Sequence, residues 1–143
     1  MSCFDLVYCK MELPENAPEY LKRCPFFQTY DLGKGMNEYI LSEDRELLLN
    51  VKHSMIYGML KEVFGAPENP IPTKIFHKRK KIIMSATNCR GGGPRNGKYV
   101  YYTDDGSDIV DINYVVQIRD GKVSSIKEES RNVKPALPLN ERN

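Results

Sequence analysis

The stretch Arg90-Gly-Gly-Gly-Pro-Arg-Asn-Gly-Lys98 is where residue type and spacing come nearest to a known chemistry. Gly92, four residues, then Gly97-Lys98 supply most of a phosphate-binding loop, whose backbone amides and following helix cradle phosphates while a lysine reaches the terminal one. Two conditions of that loop fail. Tyr99 stands where a Ser or Thr would hold magnesium, and its hydroxyl lies too far from the backbone to substitute. The residues that follow, Tyr99-Val-Tyr-Tyr-Thr-Asp104, read as a strand where the loop must open a helix. A flexible glycine-rich connection between two strands explains the same residues.

A nucleic-acid contact fits them better than a nucleotide does. Arg90, Arg95 and Lys98 sit on glycine-rich backbone, and the run His77-Lys78-Arg79-Lys80-Lys81 adds further cations just before them. Tyr99, Tyr101 and Tyr102 offer stacking faces. Strand alternation turns Tyr99 and Tyr101 away from Tyr102, so at most a pair can share one platform. A basic run at a strand junction also serves as a solvated edge that blocks edge-to-edge pairing. Both uses of these cations remain open at the level of sequence.

Other chemistries have less to stand on. A nucleophile needs a base beside it, and the chain holds two histidines, His53 and His77. Cys3 and Cys9 fall on an apolar strand, where burial makes a poor thiolate. The four cysteines, Cys3, Cys9, Cys24 and Cys89, lack the paired short spacing of zinc knuckles, so reduced structural thiols are expected, with Cys3, Cys9 and Cys24 largely buried. Asp104, Asp105, Asp108 and Asp111 cluster around Gly106 but miss the calcium-loop spacing, and turn chemistry accounts for them. No catalytic residue, metal or cofactor is expected.

The elements that must position these residues are mostly strands. Phe4–Tyr8, Phe26–Leu32, Met36–Leu41 and Glu46–His53 alternate with a period of two, and the first third reads as a meander of short antiparallel strands. A short helical turn is expected around Pro18–Arg23. Ser54 to Phe64 has helical spacing, with Ser54 as cap and Gly65 as stop, although Gly58 weakens it. Thr73–Lys80 and Lys80–Thr87 are expected to pair with each other. Ile109–Lys127 is the clearest hairpin, with Asp120-Gly121 as its two-residue turn. The result is a single α+β domain over residues 1–131, dominated by an antiparallel sheet with one short helix, and a C-terminal tail over 132–143.

Composition narrows the class. At 143 residues, with 41% hydrophobic and 28% charged residues, the chain has the make-up of one globular domain. A formal charge of +2 exerts no strong overall field. No apolar run nears the ~18 residues that span a bilayer, and the N-terminus shows no basic leader with an apolar core, so a cytoplasmic protein without a membrane partner is expected.

The N-terminal pattern resembles small proteins of bacteriophage and bacterial genomes that carry no assigned function. Cys9-Lys10 with Leu13-Pro14, Phe27-Gln28-Thr29 with Asp31-Leu32, and Tyr39-Ile-Leu-Ser-Glu-Asp44 carry the resemblance, and the Tyr114–Lys127 hairpin looks like their closing strands. It covers residues 3–49 and 97–128 and implies an origin in phage or mobile elements; it assigns no catalytic residue. The expectation is therefore a non-catalytic binding protein whose partner is a host or viral protein, one version being an inhibitor of a host defence or host enzyme. The alternative is a nucleic-acid-binding module using Lys78, Arg79, Lys80, Lys81, Arg90, Arg95 and Lys98. Self-association stays open.

Overall fold

Alternating apolar residues build the sheets. In the computed structural model, which describes residues 3–54, 70–73 and 78–142, strand residues far outnumber helical ones. The strands are β1 (Asp5–Cys9), β2 (Phe26–Thr29), β3 (Glu38–Leu41), β4 (Leu47–Asn50), β5 (Ile71–Pro72), β6 (Arg79–Ala86), β7 (Gly91–Arg95), β8 (Lys98–Thr103), β9 (Ile109–Arg119), β10 (Lys122–Lys134) and β11 (Leu137–Pro138). One helix, α1 (Glu19–Arg23), stands where a helical turn was expected. The helix expected from Ser54 to Phe64 lies, beyond Ser54, outside the described residues.

Eight strands form one sheet in the order β10-β9-β6-β2-β1-β3-β4-β5. All its pairings are antiparallel except β1 with β3, so the first third is not the meander its alternation predicts. Asp5 accounts for the departure. Fully buried, its carboxylate accepts the amides of Lys34 (2.9 Å), Gly35 (3.1 Å) and Asn37 (2.8 Å). That fixes the turn after β2, where Gly33, Lys34 and Met36 all take positive φ, and brings the chain back to the free side of β1.

The sheet curls until its ends meet. Leu47 donates its amide to the Gly121 carbonyl (2.7 Å), Val123 donates to Arg45 (2.8 Å), and Glu46 bridges Lys122. The enclosed face packs Val7, Phe27, Leu41, Leu47, Ile82, Met84, Ile112, Tyr114, Val116 and Ile118, all essentially out of solvent. Leu21 of α1 joins this core, and the Tyr20 hydroxyl donates to the Val110 carbonyl at 2.8 Å; burial holds that phenol well above its ordinary pKa.

Two further expectations need correction. Arg79–Ala86 is one strand between β2 and β9, so Arg79 and Lys80 continue the strand they were expected to pair with, while residues 74–77 of the expected first strand lie outside the described residues. Ile82 and Met84 must both face the core, and only an unbroken alternation does that. Nor is the segment from Asn132 a separate tail: β10 runs to Lys134 opposite Ile109, and Leu137–Pro138 pairs in parallel with Tyr102–Thr103.

Candidate binding face

The glycine-rich string is neither a phosphate loop nor a loose connection. Gly91–Arg95 is strand β7, paired with β8 and closed by a tight turn at Asn96 (φ 50°) and Gly97 (φ 79°). With β11 these make a separate three-stranded sheet. Tyr99 and Tyr101 share one face of it, in edge contact at 5.3 Å, and lie over Gly92. Tyr102 points the other way and is buried, as alternation requires.

The basic residues picked out in the sequence are divided between the two sheets. Arg90 and Arg95 belong to the small one and are already paired, Arg90 Nε with Asp104 at 3.1 Å and Arg95 Nη1 with Glu141 at 3.6 Å. Lys98 lies opposite Arg95 in register, so it shares Arg95's face and not that of Tyr99 and Tyr101. Arg79, Lys80 and Lys81 open β6 in the large sheet, and Lys78 immediately precedes it. Within that run, Arg79 and Lys81 turn to the outer face, whereas Lys80 follows the parity of core residues Ile82 and Met84.

On this outer face, the residues missed by sequence reading gather around Arg79 and Lys81. Register places Arg79 beside Arg119, and Arg119 beside Lys122; Lys81 lies beside Gln117, and Ile83 beside Val115, which in turn faces Lys127. Arg79, Lys81, Arg119, Lys122 and Lys127 are all exposed, and none forms a salt bridge among the described residues. A depression of about 340 Å3 opens among Arg79, Lys81, Gln117, Arg119 and Ser124. The hairpin carries the signal that would have found them. With Asp120-Gly121 as a two-residue turn, Arg119 must stand against Lys122, a pairing that follows from the turn chemistry alone.

The same face continues into aromatic residues. Gln28 pairs with Ser85, so the outward residues of β2 and β1 lie alongside those of β6. These are Phe26 (39% exposed) and Gln28 of β2 and Leu6 (36%) and Tyr8 of β1, with Tyr30 (46%) just past β2 and Phe4 just before β1. Phe4 meets Tyr30 edge-on at 6.4 Å, and Tyr8 meets Phe26 at 4.7 Å. Asp31 holds this end of β2 against β6 by accepting the Ile83 amide at 2.8 Å. Beyond it, Leu6, Phe26, Phe27, Ala86 and Ile112 help line a second hollow of about 320 Å3.

The titratable groups elsewhere are tied into the structure. His53 Nδ1 meets Glu38 Oε2 at 3.0 Å, and the Asn50 amide donates to the same oxygen at 2.7 Å. The neighbouring Ser54 hydroxyl donates to the Asn50 carbonyl and accepts the Glu38 amide. His77 lies outside the described residues. All four cysteines are free; Cys9 is buried, which raises its thiol pKa, but Cys3 is half-buried and Cys24 is exposed, contrary to expectation. Cys24 follows α1, after the helix has delivered Leu21 to the core, so nothing covers it.

Asp104 and Asp105 serve the turn after β8. Asp104 pairs with Arg90, and Asp105 accepts the Ser107 amide (3.0 Å) and hydroxyl (2.6 Å), bonds that hold its carboxyl below the usual range. Among the described residues, no group of three or more His, Cys, Asp or Glu side chains is arranged to hold a metal ion. No helix among the described residues is long and apolar enough to cross a membrane. Compared with family models, curated proteins and solved structures, the chain matches none.

Proposed function

We propose that this protein is a non-catalytic binding module that holds an anionic macromolecule on the outer face of its large sheet. One observation carries the reading: Arg79, Lys81, Arg119, Lys122 and Lys127 gather on that face with no salt bridge among the described residues, and the carboxylate that register sets against them is Glu46, opposite Lys122. Surface cations are ordinarily interspersed with anions, and a cluster in which one sign predominates raises the local concentration of an oppositely charged partner. The small-sheet cations Arg90 and Arg95 already have partners and have no part in the reading.

The test is retention on anionic polymers. Wild type is expected to bind heparin in a salt-dependent way, and Arg79→Glu with Arg119→Glu to abolish retention while leaving the melting temperature within a few degrees. A wild type that fails to bind any polyanion at low salt would end this reading.

A second reading has its own observation. The hollow beside Leu6 and Phe26, apolar on one side and lined by Gln28, Asn113 and Asp111 on the other, is of a size to take a protein side chain, which fits a phage-type protein that inhibits a host enzyme or defence factor. Alanine at Leu6 and Phe26 should then weaken partner capture, with heparin retention unchanged.

A further inference from the structure

Resting on the anionic-partner reading, we infer that the occupant of the outer face is single-stranded nucleic acid, its phosphates on the cations at the Arg79 end and its bases against Tyr30, Phe4 and Phe26. The cations call for a polyanion; the rings select among polyanions. Phe26 and Tyr30 are large apolar groups held partly in solvent, each braced by a second ring: Tyr8 at 4.7 Å and Phe4 at 6.4 Å. A braced, exposed ring loses little freedom when a base stacks on it, and every base has a face to offer. A duplex keeps its bases stacked inside and presents phosphates outward, so it would use the cations and leave the rings idle. An acidic protein segment would likewise give the rings no planar partner.

The layout suits one strand crossing both groups. Extending the Gln28–Ser85 register puts Phe26 level with Thr87, just past the end of β6, while Arg79 lies at the strand's other end. The eight steps between them, at ~3.3 Å each, make a path of roughly 26 Å, room for a few nucleotides. Between the ends lie Ser85 and Asn113, joined to each other, and Gln28, which leave the middle of the path polar and uncharged. Two carboxylates flank this path: Asp31, just past β2, which accepts the Ile83 amide, and Asp111 of β9, which lines the hollow beside Phe26. The Tyr99–Tyr101 pair, Tyr99 exposed and Tyr101 half-buried, is the internal comparison. Its ring Tyr101 already carries the Lys134 ammonium at 4.0 Å, and the small sheet's arginines are paired.

Fluorescence anisotropy would read this out, using a labelled oligothymidylate of about a dozen nucleotides, the same strand annealed to oligoadenylate, and polyglutamate as competitor. The single strand should bind tighter than the duplex. Tyr30→Ala and Phe26→Ala should each weaken it by roughly tenfold or more with an unchanged salt slope. Arg79→Gln with Arg119→Gln should instead flatten the slope of log K against log salt by about 1.4, or ~0.7 for each lost phosphate contact. Arg90→Gln with Arg95→Gln should change neither. Folding of each variant is checked by circular dichroism, and Tyr30→Phe, which keeps the ring, should restore binding. Equal binding of strand and duplex, with the ring variants neutral, would overturn the single-strand inference and leave the anionic-partner reading intact. Stronger binding of polyglutamate than of the oligonucleotide would reassign the face to an acidic protein. Failure to bind any of the three would overturn both.

Discussion

Asp5 is the residue on which the local path of the chain depends. A buried carboxylate is costly unless its oxygens are satisfied, and here three backbone amides satisfy them. In return it fixes a turn in which Lys34 and Met36 adopt left-handed conformations that side chains disfavour. The composition of the turn, Gly33-Lys-Gly-Met36, announces a bend, yet nothing in it names Asp5, which is about thirty residues away in the chain. A partner that distant is invisible to local pattern. Asp5→Ala would leave those amides without an acceptor and should destabilise the fold by about 2–4 kcal/mol in urea unfolding. Asp5→Asn keeps an acceptor oxygen and should cost about half as much. Costs below ~0.5 kcal/mol for both variants would show that the turn holds itself.

At the scale of elements, alternation named the apolar strands of the large sheet, missed β5, β7 and β11, and paired the first third wrongly. The Ile109–Lys127 hairpin was legible because its turn residues require positive φ, and Asp120 (52°) and Gly121 (77°) have it. Asn96-Gly97 carries the same signal, but three glycines and a proline before it read as a connection, since glycine is poor in strands and proline removes a ladder donor. The structure supplies the reason for one of those glycines. A Cβ at Gly92 would lie 2.8 Å from a Tyr99 ring carbon and 3.1 Å from one of Tyr101, whereas at Gly93 it would meet nothing within 4 Å. Gly92→Ala should therefore displace the tyrosine pair and cost about 1–3 kcal/mol, with faster amide exchange along β7 and β8. Gly93→Ala should be close to neutral. Equal effects at the two positions would mean that chain entropy, and not the ring contact, sets the need for glycine. The candidate face divides in the same way. Arg79 and Lys81 were legible as a basic run, but Arg119, Lys122 and Lys127 join them only through the register of three strands.

At the scale of the whole molecule, closure of the sheet decides what is inside and what is outside. A flat sheet with one face covered would leave either the Ile82–Met84 side or the Arg79–Lys81 side open to choice. Curling commits the first to the core and the second to solvent. Closure rests on a short seam: the Leu47 amide to Gly121, the Val123 amide to Arg45, and the Arg45 guanidinium to the Val123 carbonyl at 3.1 Å. Arg45 has a φ of 66° and follows Ser42-Glu43-Asp44, so sequence reads it as ordinary turn and gives no hint that it joins the sheet's two ends. The seam also borders the cationic patch, because Lys122 lies on it. If closure is part of the cooperative fold, the Leu47 and Val123 amides should exchange with deuterium only on global unfolding, at the same free energy as the Met84 and Tyr114 amides of the central strands. Arg45→Ala removes one hydrogen bond of the seam and should cost about 1 kcal/mol. Arg45→Gly, which suits the positive φ, should recover part of that loss through the backbone. Exchange at Leu47 and Val123 well below the global free energy would instead describe a seam that opens on its own, and with it an outer face whose curvature changes while the core stays folded.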